Sequence, residues 1–217
     1  MSLAAASGPR VLADALVPTR SRAAALVADA ALVVAGTALV AVAAQVAIPF
    51  WPVPLTLQTF AVLLVGTALG PVRGASSLGL YLVLGVVGLP IFSEGASGNL
   101  FAMTSGGFIV GFVFAAALTG WLARRRWDRK VVGTLVSFLA GSVVMYAFGL
   151  PWLYVSLQSL GAAVWHDYLG YDSLLAATIG AGLLPFLVGD VLKAIFAAVL
   201  LPLTWRGVDA VDARTAR

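Results

Sequence analysis

Long, uninterrupted apolar runs constrain this chain more than any other feature. They occur at 27–48, 55–70, 74–90, 106–123, 131–149 and 184–204. A helix crossing a hydrocarbon core roughly 30 Å thick needs about 20 mostly apolar residues, and backbone groups in lipid must find partners within their own segment. None of the runs has the period-two alternation of a barrel strand. The expected fold class is therefore all-α integral membrane, a bundle of six transmembrane helices. Composition agrees, because 61% of the 217 residues are hydrophobic and only 10% charged, with mean hydropathy +1.03. Soluble domains carry about 25% charge.

The basic residues orient the bundle. With the N-terminus inside, one side receives Arg10, Arg20, Arg22, Arg73, Arg124, Arg125, Arg126, Arg129, Lys130, Arg206, Arg214 and Arg217, which is 12 of the 13 Lys and Arg residues. The opposite connections, near 49–54, 91–105 and 150–183, have none. Cytoplasmic loops concentrate Lys and Arg, so both termini are expected in the cytoplasm, and the pI near 9.9 needs no nucleic-acid partner. Residues 1–26, with Pro9 and Pro18 among alanines, read as a cytosolic lead-in instead of a signal peptide. Residues 27–205 read as the membrane domain and 206–217 as a cytosolic tail. No cysteine is present, which excludes disulfides and thiolate chemistry.

Between the fifth and sixth runs lie two shorter apolar stretches, 152–165 and 173–183, separated by His166–Asp172. Each is too short to span, so both are expected to lie at the outer interface or to fold over the bundle, with Trp152, Tyr154, Trp165, Tyr168 and Tyr171 as headgroup anchors. Pro49, Pro52 and Pro54 force an extended path between the first two runs. The Gly-rich stretch 88–107 has the length of a lid or binding loop and equally that of a linker. Small residues at helical spacing, Ala31, Ala35 and Ala38, then Gly66 and Gly70, then Gly107 and Gly111, mark seams where helices approach closely.

Two ionisable residues sit well inside a run: Asp190 and Lys193, in the last. Their i, i+3 spacing places both on one helix face. Each charge costs about 2.5–3.5 kcal/mol near the bilayer centre, so the pair either fixes helix packing or meets a ligand. In the second case Asp190 accepts hydrogen bonds from ligand N–H groups and Lys193 donates to a ligand carbonyl or carboxylate. Gln58 and Asn99 add neutral donors and acceptors from flanking loops. A small, partly apolar molecule with amide-like polarity fits such a set.

Several chemistries lack their signatures. There is no phosphate-binding G-x-x-x-x-G-K-[ST] loop, so ATP hydrolysis is not expected of this chain. A single histidine, His166, supports neither a metal site nor an H-E-x-x-H protease, and no G-x-S-x-G elbow is present. An enzyme is not expected.

The motifs resemble those of the BioY family, the biotin-specific S components of energy-coupling factor (ECF) transporters, over about residues 27–205. Ile48-Pro49 with Val53-Pro54-Leu55-Thr56-Leu57-Gln58 resembles the family's IP…VPxTLQ signature. Leu69-Gly70-Pro71 with Arg73-Gly74, Gly85 to Phe92, and Pro185-Phe186 with Gly189-Asp190-xx-Lys193 follow in the family's order. One departure is Met103-Thr104-Ser105-Gly106-Gly107-Phe108, where the family commonly has GPTGGY. The resemblance implies six helices and a biotin pocket facing the outer side of a bacterial cytoplasmic membrane. It gives Asp190 and Lys193 a role in holding biotin, and together with Gln58, Asn99 and Thr56 they are the candidate biotin contacts, with biotin as transported ligand and no cofactor. It also implies a transmembrane coupling protein carrying two ATPase subunits, docked on Ala31, Ala35 and Ala38. The alternatives are an S component for another vitamin, a solitary proton-coupled carrier, and a lipid-binding bundle.

Overall fold

The computed structural model describes residues 10–17, 19 and 21–215. Pro9, Pro18, Arg20 and Arg217, and most of the expected lead-in, lie outside the described residues. Within them, eight α-helices follow in order: α1 (Leu12–Leu16), α2 (Arg22–Gln45), α3 (Gln58–Leu69), α4 (Pro71–Val86), α5 (Gly106–Arg124), α6 (Val131–Leu160), α7 (Leu174–Gly182) and α8 (Leu184–Thr215). Strands β1 (Ala47–Ile48) and β2 (Leu55–Thr56) pair antiparallel, Ala47 opposite Thr56 and Ile48 opposite Leu55.

Among the described residues, four segments are long and apolar enough to cross a membrane: α2, α5, α6, and α7 with α8 taken as Leu174–Arg214. Helices α3 and α4 are apolar but hold 12 and 16 residues, about 18 and 24 Å at 1.5 Å per residue. The six expected runs thus become four long segments and two short ones. The short pair loses length for local reasons. Leu55 and Thr56 are drawn into the ribbon with β1, and α4 stops before Gly88, whose φ of 107° suits glycine.

The helix boundaries change most in the two shorter stretches. Helix α6 does not end at 149 but continues through Pro151 to Leu160. Proline removes one helical hydrogen bond and crowds the preceding turn, yet Leu153 and Leu157 beyond it are fully buried. Trp152, half-buried, packs against Gly106 and Gly107 and donates its indole N–H to the Met103 carbonyl at 2.9 Å. The second stretch forms α7, broken from α8 only at Leu183.

Helix α5 is the centre of the bundle, 67% buried over its apolar window, whereas α2 is 17% buried and peripheral. Small residues make the central contacts. A methyl group on Gly66 would run into the Ala116 carbonyl and the Thr119 hydroxyl, and one on Gly120 into the backbone of Gly70 and Pro71. Gly107 and Gly111 let α5 approach α6 at Trp152, Phe148 and Met145. Ala31, Ala35 and Ala38 are instead exposed on α2.

The two ends of the bundle differ chemically. At the basic end Arg73 reaches Asp14 at 2.6 Å and Asp29 at 2.7 Å, and Arg10 pairs with Asp212 at 3.4 Å. Nearby, the buried Asp128 accepts the Trp205 indole N–H at 2.6 Å, and the Arg129 guanidinium lies 3.8 Å from the centre of the Trp205 ring. Burial pushes the Asp128 carboxyl above its ordinary value, with the indole N–H and Arg129 pulling the other way. The opposite end carries the ribbon, the loop 87–105 and the candidate site.

Candidate functional site

Beneath the loops a narrow cavity opens among α3, α5, α6 and α8. About 50 Å³ is free to the centre of a water molecule, inside about 590 Å³ of non-atom space reaching its mouth. Phe108, Ile109, Phe112, Met145 and Phe186 supply apolar walls, while Thr56, Gln58, Thr59, Tyr146 and Asp190 supply polar groups. Mostly apolar walls with a few convergent polar groups are the pattern of small-molecule sites.

The polar groups are held in place. Asp190 is 7% exposed, and its Oδ2 accepts from the Tyr146 hydroxyl at 2.5 Å. Its Oδ1 lies 3.6 Å from Lys193 Nζ. That ammonium donates to the Thr59 hydroxyl at 2.8 Å and to the Thr56 carbonyl at 3.1 Å. Lys193 therefore ties α8 to β2 and to the start of α3. Gln58 donates through Nε2 to the Tyr81 hydroxyl at 2.7 Å, which donates to the Ile91 carbonyl at 3.0 Å. The chain of bonds runs from the cavity wall into the loop after α4.

That loop is clamped from α2 as well. Gln45 Nε2 donates to the carbonyls of Phe92 at 3.0 Å and Ile91 at 3.4 Å, and Gln45 Oε1 accepts the Gly95 N–H at 3.2 Å. Phe92 is buried edge-on against Tyr81, ring centres 5.3 Å apart. Between lid and unstructured linker, the structure favours a loop fastened at defined points.

Of the residues expected at the site, Asp190, Gln58 and Thr56 line the cavity, and Lys193 stands directly behind them. Asn99 does not line it. Its Oδ1 caps a short 3-10 turn by accepting the Phe101 N–H at 3.0 Å, and the residue is exposed. Despite the departure at 103–108, Ser105 and Phe108 both reach the wall. Sequence reasoning missed Tyr146, Thr59, Phe112 and Phe186. The available signal for Tyr146 was a hydroxyl in the middle of an apolar run.

Known proteins point one way. The model of the BioY family matches residues 16–210. The biotin transporter BioY of Rhizobium etli is 35% identical over 177 residues, covering 78% of this chain and 87% of that protein. The probable biotin transporter BioY of Pyrococcus horikoshii is 34% identical over 174 residues, covering 79% and 93%. Among solved structures, the S-component for biotin from an ECF-type ABC transporter superposes with a TM-score of 0.68 at 26% identity, covering 87% of this chain and 95% of that one.

Proposed function

The chain belongs to the BioY family, and from that premise we propose that it is a biotin-capturing S component that mediates biotin uptake with an ECF energising module. The observation that carries the reading is the buried Asp190, at a cavity with apolar walls, paired with the half-buried Lys193 directly behind it. A cyclic urea presents N–H donors beside one carbonyl acceptor. Asp190 accepts the former, Lys193 donates to the latter, and Tyr146 holds the carboxylate in its working orientation. The phenylalanines and Met145 cover the sulfur-containing ring and alkyl tail. The free space is small, so the loops yield as the guest enters.

In this reading residues 27–205 form the membrane domain, with α3 and α4 completing six spans, flanked by cytosolic segments 1–26 and 206–217. The basic end faces the cytoplasm of a bacterial cell and the cavity faces outward, following the bias of Lys and Arg. A transmembrane coupling protein with two ATPase subunits supplies the energy, docking where α2 exposes Ala31, Ala35 and Ala38. The chain itself performs no catalytic step and takes no cofactor.

Calorimetry of the detergent-purified protein tests the capture step. The parent binds biotin, and Asp190→Asn and Lys193→Met each weaken binding roughly ten- to a hundredfold, the worth of a hydrogen bond to a charged group. Affinity equal to the parent in both variants would remove the pair from the site. Uptake measured with and without the coupling proteins separates the ECF reading from a solitary carrier.

A further inference from the structure

A second hollow lies outside the cavity, bounded among others by Phe50, Trp51 and Glu94. Three residues border both spaces: Pro54, Ser93 and Ser105. They form the threshold between the buried cavity and the surface. Ser93 is unusual among them because its hydroxyl is enclosed and has no hydrogen-bond partner. A buried hydroxyl left unpaired is costly, and native structures rarely leave one without a use.

Its position is not an accident of a loose loop. The preceding residue, Phe92, donates its N–H to the Ala96 carbonyl at 3.0 Å and accepts from Gln45 and from the Gly95 N–H. The Ser93 carbonyl accepts the Ala96 N–H at 3.1 Å. With the backbone bracketed on both sides, the hydroxyl stays where it is.

A ligand held at Asp190 by one polar end must lay its other end toward this threshold, since Asp190 borders only the inner space. Biotin's second polar end is a carboxylate. The outer hollow offers it no cationic side chain, only the exposed Glu94, so neutral donors have to hold it there. Resting on the biotin reading above, we propose that Ser93 Oγ donates a hydrogen bond to the ligand carboxylate and thereby sets the preference for the free acid.

The test compares biotin with its methyl ester on the detergent-purified full chain. The parent is expected to prefer the acid by roughly tenfold or more, Ser93→Ala to lose that preference, and Ser93→Thr to keep it. Without ligand, Ser93→Ala should melt no lower than the parent, because nothing bonded is removed. A lower melting temperature means that the hydroxyl serves the protein and overturns the inference. A parent that binds biotin alongside a Ser93→Ala protein with its preference intact overturns the inference alone. A parent that fails to bind biotin removes the function proposed above, and this inference with it.

Discussion

Asp190 and Lys193 were legible because nothing else ionisable sits deep in an apolar run, and burying charge is too expensive to go unexplained. Tyr146 was not, because its partner lies 44 residues away on α8 and only the packing of α6 on α8 brings them together. With the carboxylate steered by one donor, Tyr146→Phe should weaken biotin binding by about tenfold. The melting temperature without biotin should also fall, since the variant leaves Asp190 Oδ2 buried without its partner. Calorimetry and a thermal melt of the same preparation check both. Asn99 shows the converse: a plausible polar residue in the right loop, spent on capping a local turn. Side chains of Asn routinely prefer nearby backbone groups, and loop composition alone does not reveal which it will choose.

The apolar runs marked most helices at the scale of elements, but not where each one ends. The fifth run was expected to end at 149, whereas Leu153 and Leu157 beyond Pro151 bury enough apolar surface to carry α6 onward. The extended stretch around Pro49 to Pro54 was foreseen, but its closure into a ribbon depends on pairing between Ile48 and Leu55, which proline content does not specify. The glycine seams were read correctly for α3 and α5. At Gly120 the partner is backbone, which cannot swing aside, so Gly120→Ala should destabilise by about 1–3 kcal/mol as overpacking, measured as a lower melting temperature or denaturation midpoint. Gln45 ends α2 and brackets the loop after α4 through three bonds. Its replacement by Leu should speed biotin release several-fold with a smaller effect on capture, which stopped-flow dissociation reads directly.

For the whole molecule, charge bias divides the chain into a basic end and one whose connections lack Lys and Arg, and among the described residues the structure brings Arg10, Arg73 and Arg129 to one end. What stayed hidden is how the basic end is knit together. Asp128, which stands among basic residues in the sequence, is buried against Trp205, a contact between segments 77 residues apart. Its carboxyl is raised by burial, so folding favours the protonated form. The sign follows: from the unfolded value of 3.8 upward, the folded state holds a proton that the unfolded state has released, and stability falls as pH rises through the raised value. Asp128→Asn should flatten that part of the profile relative to the parent, in thermal melts run from acid to neutral pH.

Helix α8 is fastened twice, near the cavity by Lys193 to Thr56 and Thr59 and at the basic end by Trp205 to Asp128. Twelve residues at 1.5 Å each separate the fastenings, about 18 Å of a rod that does not stretch. Pro202 is the one proline between them. One continuous element thus carries both the cavity's ammonium and the indole that anchors the basic end.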